Sequence, residues 1–172
     1  MKMLKRRRKE NKTDYGKRVG LLKSGFPRVV FRKTNRYITT QYVTSKEAQD
    51  KVEFGLTSKD LLKHGWPKEF QGSLKSIPAA YLTGFLFGKK IIEKKLKMPI
   101  IDIGMTRNIH KNKVFGFLKG LKDSGVDIKC EEKYYPDENR IKGKHLKNDF
   151  SKTFEEIKLK MQKPMGGMSN EK

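Results

Sequence analysis

Cys130 is the one cysteine of the chain, and His64, His110 and His145 are its three histidines. A thiol beside an imidazole can become a nucleophile even when the two are distant in sequence. Cys130 with His110 or His145 is the pair that could do so, although packing is the simpler role for a lone cysteine. None of these residues falls into the compact spacing of a zinc site, so no metal is expected. Asp102, closing the strand-like run MPIIDIG, is the carboxylate best placed for metal-assisted phosphoryl chemistry. Such chemistry ordinarily needs several carboxylates around two metals. No spacing links Asp102 to Asp50, Glu53 or Asp60, and its simpler role is to accept backbone donors beside Gly104. Gly84 and Gly88-Lys89 lack the spacing of a phosphate-binding loop, and Lys90 stands where Ser or Thr is required. No cofactor and no small-molecule substrate is therefore implied.

A different chemistry is written in FRKTNRYITTQYV, residues 31–43. The segment has the composition of a strand, yet its middle gathers Arg32, Lys33, Asn35, Arg36 and Tyr37. Charges on an edge strand can serve only to block strand-to-strand aggregation. That purpose accounts for one or two lysines, less well for this mixture. Arginine offers a planar fork that matches phosphate. Tyrosine can stack on an unpaired base, and asparagine can bond phosphate, ribose or a base edge. The mixture fits shaped RNA better than plain duplex DNA.

The distribution of charge agrees with this reading. The chain of 172 residues carries 41 Lys and Arg against 19 Asp and Glu, a net charge of +22, and its pI is about 10.0. Such an excess repels itself and calls for a polyanion, whether nucleic acid, anionic membrane or acidic protein. Residues 1–36 hold 14 of the basic residues and two of the acids, more than half of the net charge. Charge serving solubility alone would be spread out. The run KRRRKENKTDYGKR continues into VGLLKSG, where Val19, Leu21 and Leu22 could dock on a core, which suggests an arm anchored at one end. A single cysteine excludes an internal disulfide framework and points to a reducing compartment such as the cytoplasm. The longest apolar run, Ile77–Gly88, is shorter than the roughly 18 residues of a membrane span. No membrane partner is expected.

These side chains must be positioned by a modest core, and the length suits one domain. RVVFR and RYITTQYV read as a β-hairpin, with Asn35 suited to the left-handed conformations of a tight turn. A third strand is expected near Lys51–Thr57. Ser58 can cap a short helix ending at Gly65, and Trp66–Ser76 reads as a loop. Pro78 opens the strongest helix, PAAYLTGFLFGKKIIEKK, with Leu82, Phe85, Leu86 and Ile92 as its apolar stripe and Gly84 and Gly88 permitting close packing. MPIIDIG reads as a buried strand and KNKVFGFLKGLKDSG as a second helix ending at Gly125. SKTFEEIKLKMQK can be a helix capped by Ser151 with Glu155 or Glu156 in its first turn, before a frayed PMGGMSNEK. The expected fold class is α/β: a single mixed α/β domain with a basic N-terminal arm (1–26), a hairpin-containing sheet packed by helices (27–129), and an extended C-terminal segment (130–172).

The order of segments resembles the L-eighteen family of large-subunit ribosomal proteins. The resemblance is carried by RRRKENKTDYGKRVGLLKSGFPRVVFRKTNRYITTQ, IPAAYLTGFLFGKK, IIDIGMTR, VFGFLKGLKDSGVDI and YYPDENRIKGKHL, in the family's order and up to about Leu146. It implies a non-catalytic protein that binds 5S rRNA, helps attach it to the large subunit in the central protuberance, and adjoins large-subunit rRNA and other ribosomal proteins. The stretch Lys59–Ser76 and the extension beyond Cys130 look like the archaeal and eukaryotic branch. The RNA contacts it implies are Lys5, Arg6, Arg7, Arg8, Lys12, Thr13, Tyr15, Arg18, Arg28, Arg32, Lys33, Asn35, Arg36 and Tyr37, followed by Arg140, Lys142, Lys144 and His145. The competing readings are a generic basic coater of nucleic acid and an RNA-processing enzyme built around Asp102.

Overall fold

Period-two burial builds the sheet. In β1 (Arg28–Lys33), Val29 and Phe31 are fully buried, and in β2 (Ile38–Lys46) Ile38, Thr40 and Tyr42 are too. Alternate residues of a strand face opposite sides, so these five share one face. The computed structural model describes residues 3–47, 49–146 and 149–162. It pairs β1 antiparallel with β2, and β2 antiparallel with β3 (Gln49–Thr57). The short β4 (Ile100–Asp102) lies parallel to β1 and completes the order β3-β2-β1-β4.

Two helices cover the apolar face. α3 (Ile77–Glu93) is capped by Ser76, whose hydroxyl accepts from the Ala79 amide. α4 (Lys113–Asp123) is capped by Asn112, whose carbonyl oxygen accepts from the Val114 and Phe115 amides. Gly84 and Gly120 set how closely the two cross. A Cβ on Gly84 would overlap the carbonyl oxygen of Phe117, and one on Gly120 that of Tyr81. This crossing brings Phe117 to 5.0 Å from Phe31 and Phe87 to 4.7 Å from Phe54, centroid to centroid. The core therefore runs between the sheet and both helices.

The chain beyond Cys130 adds α5 (Glu138–Lys142) and α6 (Ser151–Gln162) to the far side of α3. Phe154, Ile157 and Met161 bury themselves there. The Lys158 ammonium donates to the Tyr81 hydroxyl (2.9 Å), which donates to Asp123 (2.7 Å), linking α6, α3 and α4. Burial and the Asp123 carboxylate push the Tyr81 phenol far above its ordinary range, so it stays a donor.

Several local expectations change. Thr57 precedes the 3-10 helix Ser58–His64, and the Asp60 carboxylate accepts from its amide at 2.9 Å. Ser58 is buried instead and accepts from the Ile38 amide. Residues 68–73 of the expected loop wind into a second 3-10 helix. Ile91, not Ile92, completes the buried stripe of α3. Val19 is exposed, and Leu21 and Leu22 are half-buried. β4 is half-buried because it is an edge strand. Ser151 is the first residue of α6, donating its amide and hydroxyl to Asp149, and no acid lies in that first turn. The PMGGMSNEK segment lies outside the described residues.

Candidate nucleic-acid interface

Beyond the apolar face, Arg28, Val30 and Arg32 point to the other side of the sheet. Arg28 is only 2 % exposed and donates to Asp50 Oδ1 at 2.6 Å and to Ser45 Oγ at 3.0 Å. Asp50 also accepts from Arg18 at 2.9 Å, which ties the N-terminal segment to the sheet. Burial pushes the Asp50 carboxyl up, but the Ser45 hydroxyl and the Arg28 and Arg18 guanidinium groups outweigh it and hold it below 3.8. Asp102 lies 3.9 Å from the other side of the Arg28 guanidinium. Asp50 and Asp102 thus both meet the Arg28 guanidinium, Asp50 at its Nη2 and Asp102 at its Nη1.

Asp102 has two further duties. It accepts from the Gly104 amide at 2.8 Å, as the sequence suggests. It also accepts from Arg32, through its carbonyl at 2.9 Å and its carboxylate at 3.2 Å. The Arg32 guanidinium lies directly over Gly104, whose φ of +59° and lack of Cβ leave room for it. At 43 % exposure its outer N–H groups still reach solvent.

The N-terminal segment folds back onto this region. α1 (Arg6–Lys9) ends in a turn at Asn11, whose φ is +51°, and α2 (Tyr15–Lys23) follows. Asp14 caps α2 through the Gly16 and Lys17 amides, and these bonds hold its carboxyl low despite partial burial. Arg7 donates to Thr13 Oγ1 at 2.9 Å, and Arg8 lies 3.5 Å from Asp14 and 3.7 Å from Met105 Sδ. Glu10 is bracketed by Arg6 at 3.0 Å and Lys12 at 2.7 Å. Lys5 sits over the Tyr15 ring at 4.6 Å. Most of these contacts are internal to the arm; Arg8 on Met105 and Arg18 on Asp50 are the polar contacts that join it to the rest of the protein.

The hairpin turn is organised by Thr34, not by a left-handed Asn35. The Thr34 hydroxyl donates to the Tyr37 carbonyl at 2.7 Å and accepts from the Arg36 and Tyr37 amides at 3.3 and 3.0 Å. Asn35 is absent from the residues with positive φ. This arrangement turns Lys33, Asn35 and Arg36 outward, while Tyr37 is half-buried beneath the Lys59 ammonium at 4.6 Å.

Arm, hairpin and the loop after β4 together enclose a groove of about 680 Å³. Arg7, Lys12, Arg32, Lys33 and Arg107 line it, with Asn11 and Asn112 among its neutral donors. Among the described residues no carboxylate lines it, although Lys12 is paired with Glu10 and Arg32 with Asp102, and Asp14 and Asp102 line the adjoining hollow that shares Arg7, Lys12 and Arg32. Arg107 and Asn11 escaped the sequence reading. The only available signal was that Arg107 closes the IIDIGMTR segment. Lys113, at the start of α4, is held below the usual lysine range by burial and by the approach of Lys33 and Lys75. Cationic density therefore continues from the hairpin to the start of α3. Arg140, Lys144 and His145 are exposed around α5 and the turn after it, and Lys142 is paired with Glu155 at 3.1 Å. Of the sequence-derived residues, Arg28 lies behind the surface rather than on it.

The residues considered for nucleophilic chemistry are placed elsewhere. Cys130 and His110 line a groove of about 750 Å³ beside α4, where the His110 ring is tilted 43° against that of Tyr134, 4.2 Å centroid to centroid. The Cys130 thiol faces the Glu131 carbonyl at 3.7 Å.

Residues 1–99 match the family of "Ribosomal large subunit proteins 60S L5, and 50S L18". The chain is 43 % identical over 157 residues to the large ribosomal subunit protein uL18 of Korarchaeum cryptofilum, covering 91 % of this chain and 78 % of that one. It is 45 % identical over 141 residues to the protein of that name in Methanoculleus marisnigri, covering 82 % and 78 %. With the Methanococcus maripaludis protein the identity is 41 % over 143 residues, covering 83 % and 72 %.

Proposed function

Because the chain belongs to the family of ribosomal large-subunit proteins that includes 60S L5 and 50S L18, we propose that its basic face binds ribosomal RNA, and 5S rRNA in particular. Its role is structural: it holds that RNA on the large subunit at the central protuberance. The observation that carries this reading is the convergence of Arg7, Lys12, Arg32, Lys33 and Arg107 on one groove with no carboxylate among its described lining residues. Phosphate contacts from the arm supply salt-sensitive affinity. The turn at Thr34 presents Lys33, Asn35 and Arg36 rigidly enough to read RNA shape, ribose hydroxyls and unstacked bases. Arg140, Lys144 and His145 extend the contact. Arg28 contributes by anchoring Asp50 and so Arg18.

Competition binding near physiological salt tests the reading. Unlabelled 5S rRNA should displace labelled 5S rRNA at least tenfold better than transfer RNA does, about 1.4 kcal/mol. Lys33→Ala with Arg36→Ala should narrow that preference. This pair is cleaner than any change at Arg32, which also supports Asp102 and Gly104. Equal competition by transfer RNA would leave a generic coater of nucleic acid.

A further inference from the structure

The aromatic residues of the 66–78 segment enclose a second cavity that the basic groove does not use. It measures about 350 Å³, toward the small end of the roughly 300–1,000 Å³ of ligand pockets. Its walls are Trp66, Phe70, Pro78, Leu146 and Phe150. The Trp66 and Phe150 rings are tilted 4.8 Å apart, and Phe70 meets Phe150 edge-on at 6.1 Å. Phe70 is 36 % exposed, so this ring at the rim is reachable from solvent. Two hydroxyls provide the polar edge. Ser76 accepts from the Ala79 amide and keeps its proton to donate. Ser73 donates to the Phe70 carbonyl at 2.7 Å and keeps its lone pairs to accept.

Charge selects the occupant. Among the described residues no carboxylate lines this cavity. On one side, Lys75 precedes Ser76 and belongs with Lys113 and Lys33 to the cationic density running from the hairpin. On the other, Lys144 and His145 are exposed in the turn before Leu146, where Gly143 abuts Pro78 and Phe150. Around the rim the exposed carboxylates Glu69 and Asp149 are outnumbered by Lys68, Lys75, Lys144 and Lys152, and an apolar slot with two hydroxyls and a net positive rim matches a nucleobase with its phosphates outside. We propose that the Trp66–Phe70–Phe150 cavity receives one unpaired base of the bound RNA, stacked on Phe70 and read at its edge by Ser73 and Ser76. This rests on the RNA-binding reading above and adds a contact with a single splayed nucleotide. Stacking of an unpaired base on an aromatic ring is a principal mode of RNA recognition.

Trp66 is the one tryptophan of the chain, so its emission reports on the cavity directly. Saturating 5S rRNA should change that emission. Phe70→Leu keeps an apolar side chain but removes the ring. It should weaken binding about tenfold at fixed salt and leave the salt dependence unaltered, because no phosphate contact is lost. Phe70→Tyr should restore it. Thermal unfolding of both variants near the wild-type temperature establishes that the fold is intact. If Phe70→Leu binds as tightly as wild type, or Phe70→Tyr no better than Phe70→Leu, the proposal is overturned, and the cavity is left to an apolar side chain of a protein. If 5S rRNA is not preferred over transfer RNA, the 5S reading fails by itself. The Leu-against-Tyr contrast on any unpaired RNA still decides the cavity.

Discussion

Asp50 shows how one carboxylate connects fold and surface. It neutralises buried Arg28 on one side and holds Arg18 of the arm on the other. Removing Asp50 leaves buried Arg28 with only the more distant Asp102 carboxylate, so Asp50→Ala should cost about 2 kcal/mol at neutral pH, measured by urea unfolding. The sign with pH follows from the lowered pKa. A carboxyl titrating below its ordinary 3.8 stabilises the fold fully above that value, and the contribution fades as pH falls through the folded pKa. The gap between wild type and Asp50→Ala should therefore be constant above about pH 5 and close below about pH 4. A constant gap down to pH 3 would show that Asp50 acts through packing instead. The role of Asp102 toward Gly104 was legible from its position beside a glycine. Its hold on Arg32 was not, because 70 positions separate them and only strand pairing brings them together.

Among the elements, the α3–α4 crossing is the most constrained. Gly84→Ala would drive a methyl group into the Phe117 carbonyl, and relief would require the helices to separate along the whole core. A loss of about 3 kcal/mol in denaturant unfolding is expected. Gly20→Ala, with nothing near its Cβ, should be tolerated. The arm makes the complementary prediction. Deleting residues 1–12 removes Lys5, Arg6, Arg7, Arg8 and Lys12 while leaving the Thr34 turn intact. Affinity for RNA should fall, and the slope of log affinity against log salt should flatten by about one per lost phosphate contact. The preference for 5S rRNA should survive. Loss of preference with an unchanged slope would reverse the roles given to arm and hairpin. Helix, strand and hairpin positions were readable because each rests on local periodicity and turn residues. The caps at Thr57 and Asp149 were misplaced by one or two residues, since Ser58 and Ser151 are cap-forming residue types as well and only the surrounding backbone decides between them.

At the scale of the whole molecule, the net charge of +22 opposes compaction. Added salt screens this self-repulsion, so the free protein should unfold at higher temperature as salt rises from low values. The RNA complex should respond in the opposite sense, because the same salt weakens phosphate contacts. RNA at a hundred times its Kd should add about 2.7 kcal/mol to stability at low salt, and this increment should shrink as salt is added. Parallel salt responses in the free and bound protein would argue against a phosphate-based interface.

The sequence by itself determined the mixed α/β class, the basic arm, the hairpin, the two core helices and the polyanionic character of the partner. All of these depend on composition or on contacts between near neighbours in the chain. Tertiary structure alone decided which cations meet. It sank Arg28 behind the sheet and tied Arg32 to Asp102. It folded the arm onto the Gly104–Met105 loop, and it brought Arg107 from beyond β4 to the groove of Arg7 and Lys33. It also enclosed Trp66, Phe70 and Phe150 around one cavity. A side chain's charge is a local property, but whether it faces solvent, a carboxylate or another cation depends on segments far away in the chain.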